Sequence, residues 1–175
     1  MRRAVFLDRD GVINRSIVRD GKPYPPMTLE EFELLPGVPE AVRTLSAAGF
    51  LIVVATNQPD IATGKQRPEV VEEMHAALRR RLPVDDIRMC PHTGGQGCDC
   101  RKPLPGMLTA AARDHGIDLS ASYMVGDRWR DVEAGKAAGC FTFFIDYGYQ
   151  EQAPARPPDR VVASLAEAAA IILGR

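Results

Sequence analysis

Short apolar runs rich in β-branched and aromatic residues alternate along the chain with longer stretches whose apolar positions recur every three to four residues. That alternation is the pattern of an open, mostly parallel sheet with helices on its faces. The runs at Ala4–Leu7, Leu51–Ala55, Ile87–Cys90, Tyr123–Val125, Phe141–Ile145 and Arg160–Ala163 are nearly continuous, as strands buried on both faces are. The helical stretches carry stop signals: Pro39–Ala48 ends at Gly49, Arg67–Arg81 stops before Pro83, Leu104–His115 closes at Gly116 and Asp131–Ala138 at Gly139. Ser164 and Glu167 have capping-box spacing at the start of a final helix running to Leu173. Residues Arg15–Glu33 follow no period and contain Gly21, Pro23, Pro25 and Pro26, so a loop over one end of the sheet is expected there. Gln150–Asp159, with Pro154, Pro157 and Pro158, is expected to be a surface connection.

The length, 175 residues, fits one domain over 1–175, and 45% hydrophobic with 26% charged residues fits an ordinary packed core. Lys and Arg total 22 against 23 Asp and Glu, a net charge of −1, which excludes a global field for nucleic acid or an anionic membrane. No apolar run approaches the roughly 20 residues needed to span a bilayer. Met1-Arg2-Arg3 leads straight into the short run Ala4–Leu7 rather than a signal-like core, so a cytoplasmic protein is expected. Cys90, Cys98 and Cys100 crowd together while Cys140 stands alone, a distribution that suits a metal site better than a disulfide framework.

In sheets of this kind ligands bind beyond the carboxyl ends of the strands, and those positions are polar here. Asp8-Arg9-Asp10-Gly11 follows the first run, Thr56-Asn57-Gln58 the second and Gly126-Asp127-Arg128-Trp129-Arg130-Asp131 the fourth. Asp8 and Asp10, two apart at a strand end, would point roughly the same way. Taken alone they would read as a solvated turn. Joined by Asp127 and Asp131 they would repel unless a hard cation such as Mg²⁺ neutralised them. The alternative for Asp131 is a helix-start charge that complements the dipole. Thr56 and Asn57 offer a hydroxyl and an amide at a strand exit, and Arg101-Lys102 adds two cations before a helix. Carboxylates, a metal, an anion cradle and a lysine together describe phosphoryl transfer.

These residues resemble the haloacid dehalogenase superfamily: Phe6-Leu7-Asp8-Arg9-Asp10-Gly11-Val12-Ile13-Asn14, Thr56-Asn57-Gln58, Cys-x-His with Cys-x-Cys, Arg101-Lys102-Pro103 and Gly126-Asp127. Within it they are similar to the branch of heptose 1,7-bisphosphate and histidinol-phosphate phosphatases. The resemblance implies a Rossmann-like three-layer α/β/α fold, and no segment between motifs is long enough for a separate cap domain. It implies that Asp8 is the nucleophile forming an aspartyl-phosphate, that Asp10 protonates the leaving alcohol and then activates water, and that Thr56, Asn57 and Lys102 steady the phosphoryl group. It further implies Mg²⁺ held by Asp8, the Asp10 backbone carbonyl and Asp127, and substrate contacts from Asn57, Gln58, Arg101 and Arg128. Cys90, His92, Cys98 and Cys100 supply three thiolates and one imidazole, the set a closed structural Zn²⁺ site requires. With three glycines in Thr93–Gly97, metal ligation rather than burial is expected to order that loop.

The leading substrate on this resemblance is the C7 phosphate of a heptose 1,7-bisphosphate, with histidinol phosphate or another small sugar phosphate as alternatives. A polynucleotide end phosphatase shares Asp-x-Asp-Gly and Thr-Asn-Gln but lacks support from the net charge. A non-catalytic, zinc-stabilised interaction module is the non-enzyme reading. His75 and His115 lie in helical patterns and read as solvated or capping residues, Cys140 as core, and Trp129 as half-buried beside Asp127. No motif argues for an oligomer, so a monomer is expected.

Overall fold

A computed structural model describes residues 1–174. Eight strands appear in the order β1 (Ala4–Leu7), β2 (Ile17–Arg19), β3 (Lys22–Tyr24), β4 (Leu51–Asn57), β5 (Asp86–Cys90), β6 (Tyr123–Gly126), β7 (Phe141–Ile145) and β8 (Arg160–Val162). Six of them form one parallel sheet in the order β5-β4-β1-β6-β7-β8. The helices are α1 (Val38–Ala47), α2 (Pro68–Arg81), α3 (Gly106–His115), α4 (Trp129–Ala138) and α5 (Leu165–Ile172).

The near-continuous apolar strands are explained by the two cores they separate. Val5 and Leu7 of β1, with Ile52 and Val54 of β4, pack against Val42 and Leu45 of α1, Met74 and Leu78 of α2 and Ala168 of α5. Ala4 and Phe6, with Val53 and Ala55, point to the opposite core with Met107, Leu108 and Ala111 of α3. Successive side chains thus alternate between two helical layers. A fully buried Phe6 or Leu45 contributes about 1.5–3 kcal/mol. No helix among the described residues is long and apolar enough to cross a membrane.

Three expectations are corrected. Residues Arg15–Glu33 are not all loop: β2 and β3 pair antiparallel, turning through Asp20 and Gly21, with Pro23 opposite Val18. Three-residue strands are too short to show a period, and in a two-stranded ribbon both strands are edges, where proline is tolerated. The helix expected from Leu104 starts at Gly106, because Pro103 and Pro105 precede its first turn. The helix expected from Asp131 starts two residues earlier, at Trp129, which makes Asp131 its third residue. Gln150–Asp159 contains no helix or strand, as expected.

The chain passes from β1 to β4 and β5 on one side, then through α3 to β6 and β7 on the other. The strand order therefore reverses at β1, and a crevice opens beyond the carboxyl ends of β1, β4 and β6.

Candidate active site

Asp8 follows β1, and its backbone N–H donates to the Val125 carbonyl of β6 at 3.0 Å, which ties the two strand ends together. Asp8 Oδ1 accepts from Lys102 Nζ and from the Arg9 backbone N–H, each at 2.9 Å. Lys102 is buried and also donates to the Ala55 carbonyl at 2.6 Å, while pairing with Asp131 Oδ1 at 2.6 Å. Burial opposes the charge of this ammonium, but Asp131 and then Asp8 outweigh it and hold its pKa above the ordinary lysine value. Asn57 fixes the lysine's backbone: its Nδ2 donates to the Lys102 carbonyl and its Oδ1 accepts the Lys102 N–H, both at 3.1 Å.

Asp127, at the end of β6, lies across from Asp8. Asp8, Asp127 and Asp131 each place one carboxylate oxygen within 4.8 Å of the others. Two glycines allow this crowding: a Cβ on Gly11 would collide with the Asp127 carboxylate, and one on Gly126 with the Asp131 side chain. Gly11 also sits at φ +86, in the left-handed region. Burial, then Asp131 opposed by Lys102, raises the Asp8 pKa to about 6. Burial, then Asp8 and Asp131, raises Asp127 well above the ordinary carboxylate range. Asp127 Oδ2 accepts from the Tyr149 hydroxyl at 2.9 Å, while its buried Oδ1 has no protein partner. An orphaned buried carboxylate oxygen beside a second carboxylate is a hard oxygen donor set that fits a divalent cation such as Mg²⁺.

Asp10 is surrounded by donors. Its Oδ1 accepts from Arg9 Nε at 3.2 Å, Arg9 Nη2 at 3.0 Å and Asn14 Nδ2 at 2.8 Å, and its Oδ2 accepts from Gln58 Nε2 at 2.9 Å. Gln58 also donates to Thr56 Oγ1 at 2.9 Å. Thr56 and Gln58 are buried, with the Gln58 amide bridging Asp10 and Thr56. Of the Thr56-Asn57-Gln58 run, Asn57 lines the cleft.

The cleft encloses about 210 Å³ and is walled by Asp8, Asp10, Asp127, Lys102 and the hairpin residues Pro23 and Tyr24. Three arginines reach it: Arg101, Arg128 and Arg130. Arg101 Nη1 donates to the His92 carbonyl at 3.0 Å. Arg128 is engaged by Glu151, its Nε donating at 2.6 Å, and the same carboxylate accepts the Trp129 N–H at 3.3 Å. Arg130 stacks over Trp129 at 4.6 Å, and burial, then Arg128 and Arg101, lowers its pKa. A concentration of guanidinium charge beside the carboxylates suits an anionic ligand with more than one charged group.

Several participants were not apparent from sequence. Asp131 does cap α4, accepting the Asp127 and Arg128 N–H groups at 3.1 and 2.9 Å, but its other oxygen pairs with Lys102. Tyr149 follows β7, distant in sequence from every motif. Arg9 is fully buried, and His75, expected to be solvated or capping, is buried against it. His115 is half-buried and pairs with Asp86 at 2.8 Å, and Cys140 is core. A signal for Arg9 and Asn14 lay in their position inside the Asp8–Asn14 run.

Cys90, His92, Cys98 and Cys100 converge beside Arg101 and Lys102. The edges Cys90–Cys98, Cys90–His92 and Cys100–His92, at 3.7, 3.6 and 3.4 Å, match a tetrahedron of ligands about 2.1–2.3 Å from Zn²⁺. The Cys90–Cys100 edge, at 2.6 Å, is shorter. Burial and then the thiols of Cys90 and Cys98 push Cys100 up to about 12, whereas Cys98, where burial is outweighed by hydrogen bonds from the Arg101 backbone and the neighbouring thiols, is lowered to about 7. The donor set fits zinc.

A family model described as HAD-hydrolase-like matches residues 99–168. The D-glycero-beta-D-manno-heptose-1,7-bisphosphate 7-phosphatase of Pseudomonas aeruginosa is 43% identical over 152 residues, covering 84% of this chain and 83% of that protein. The enzyme of the same name from Escherichia coli K12 is 44% identical over 151 residues, covering 79% and 76%. The crystal structure of D,D-heptose 1,7-bisphosphate phosphatase from Bordetella bronchiseptica, complexed with magnesium and phosphate, superposes with a TM-score of 0.80 at 34% identity, covering 98% of each chain. With Asp8 and Lys102 paired at the switch point of the same fold, these likenesses make the chain a phosphatase of the haloacid dehalogenase-like hydrolases, in the family that holds the heptose-1,7-bisphosphate 7-phosphatases.

Proposed function

We propose that the protein is a Mg²⁺-dependent phosphomonoesterase that removes the C7 phosphate of D-glycero-D-manno-heptose 1,7-bisphosphate through an aspartyl-phosphate on Asp8. The observation that carries the reading is the approach of Lys102 Nζ to Asp8 Oδ1, with Asp10 and Asp127 in the same cleft. The names of the relatives support the substrate.

Asp8 has Oδ1 fixed by Lys102 and the Arg9 N–H, which leaves Oδ2 to attack phosphorus. As the new P–O bond forms, the bond from phosphorus to the C7 oxygen breaks, and Asp10 gives its proton to that oxygen. Water then attacks phosphorus, passing its proton to Asp10 as the P–O bond to Asp8 breaks and inorganic phosphate leaves. Lys102 and Asn57 hold the cationic side of the phosphoryl site. Mg²⁺ held by Asp8, Asp127 and the Asp10 carbonyl would supply the charge that lets an anionic nucleophile approach an anionic phosphate. Zn²⁺ held by Cys90, His92, Cys98 and Cys100 would order the loop ahead of Lys102. Arg101 and Arg128 would meet the second phosphate or sugar oxygens. On this reading one domain, 1–175, works as a cytoplasmic monomer without nucleic acid, and reduced thiols in the zinc cluster agree with that compartment.

The test is phosphate release with Mg²⁺ from the α and β anomers of the heptose bisphosphate, histidinol phosphate and simple hexose phosphates. A large kcat/KM advantage for one heptose anomer is expected. Preference for histidinol phosphate would move the substrate assignment and leave the phosphatase.

A further inference from the structure

Asp10 must be aimed at the leaving oxygen, yet three of its hydrogen bonds come from a guanidinium that lines no part of the cleft. Arg9 is fully buried, directs Nε and Nη2 to Asp10 Oδ1, and lies over the Phe32 ring at 5.5 Å. Its remaining terminal nitrogen, Nη1, is 3.2 Å from His75 Nε2, the one hydrogen-bond partner that nitrogen has among the described residues. His75 belongs to α2 and is buried beside Val71, Met74 and Leu78.

We propose that His75 is a positioning residue for the proton-transferring carboxylate of Asp10, acting through the buried fork of Arg9. The inference rests on the phosphatase reading above, in which Asp10 moves the proton. A guanidinium has no acceptor, so Nη1 donates and Nε2 accepts. His75 is therefore the neutral tautomer with its proton on Nδ1. Burial, then Arg9 and Arg79, lowers its pKa to about 4, which keeps that tautomer throughout the neutral range. A planar fork held at three nitrogens and across one face has a single orientation. Without the acceptor, a buried Nη1 would be left unsatisfied, and the guanidinium would turn to recover a partner. Asp10 would turn with it. Asn14 and Gln58 would still contact the carboxylate, so the site would keep its charge and lose its aim.

The experiment compares kcat/KM for an alkyl phosphate, a hexose 6-phosphate, with that for 4-nitrophenyl phosphate, each with saturating Mg²⁺. Attack by Asp8 on the aryl ester needs no proton on its leaving group, whereas the alkyl ester does. His75→Leu is expected to lower the alkyl-to-aryl ratio about tenfold or more, as misplacement of a catalytic group does. His75→Gln, which restores a neutral acceptor, is expected to return the ratio to within about threefold of the parent. Both substrates are assayed on one preparation, so the folded fraction cancels, and His75→Phe repeats the comparison should the leucine variant not fold. An unchanged ratio in His75→Leu, or a ratio equally low in His75→Gln, overturns the positioning role while leaving the phosphatase intact. A parent protein that releases phosphate from neither of these esters nor from the heptose bisphosphate removes the phosphatase reading first.

Discussion

Asn57 and Lys102 are joined by a closed pair of hydrogen bonds, the asparagine amide donating to the lysine carbonyl and accepting the lysine N–H, both at 3.1 Å. The ammonium that meets Asp8 is therefore aimed from its backbone by the strand that neighbours β1. Replacing Asn57 with Ala removes both bonds, worth together about 1–3 kcal/mol. We expect a lower Tm and a drop in kcat larger than the change in KM. An unaltered kcat would show that the cleft orients Lys102 without the clamp.

Gly11 leaves the space that the Asp127 carboxylate occupies. Gly11→Ala would place a methyl group against the Asp127 carboxylate and strain a left-handed backbone, a conformational cost of about 1–3 kcal/mol before the carboxylate moves. Activity is expected to fall steeply, with weakened Mg²⁺ binding by titration calorimetry. Normal Mg²⁺ affinity in a folded variant would contradict this account.

The acidic cluster makes stability and metal binding depend on pH. In the metal-free protein Asp8 ionises at about 6 against an ordinary 3.8, and Asp127 is shifted in the same direction. The folded state then holds protons that the unfolded state has released, so this contribution to stability falls as pH rises from about 4 to about 6. Mg²⁺ replaces those protons, so its affinity is expected to rise over the same window. The Tm gain from added Mg²⁺ should be larger at about pH 7.5 than at about pH 5. An equal gain at both would mean that the carboxylates are already ionised at the lower pH.

Cys98→Ser removes one ligand from the zinc cluster. Because Arg101 and Lys102 follow Cys100 directly, bound zinc per chain, Tm and activity are expected to decline together. Unchanged metal content and Tm would remove the structural role.

Much of the site was legible because strand ends in a parallel sheet converge whatever the loops do. Asp8, Asn57 and Asp127 could be placed together from the apolar runs that precede them, and Lys102 from the motif that it completes. What was missed lies where local and tertiary roles coincide. Asp131 reads as a helix-start charge and is one, but only the packing of α4 against β6 shows that its second oxygen reaches Lys102. His75 has the spacing of any polar residue on an amphipathic helix, and nothing local says that Arg9 would be buried opposite it. The β2–β3 hairpin is too short for periodicity to register, and Tyr149 reaches Asp127 from a segment with no motif of its own.

Lys102 meets Asp8 across 94 residues, and Tyr149 meets Asp127 from still further along the chain. A ribosome making this protein therefore releases Asp8 early and its partners late. Until β6 is made, β1 has β4 on one side and no neighbour on the other. An interrupted translation product that ends before Tyr149 would carry the acids of the centre without the hydroxyl that donates to Asp127.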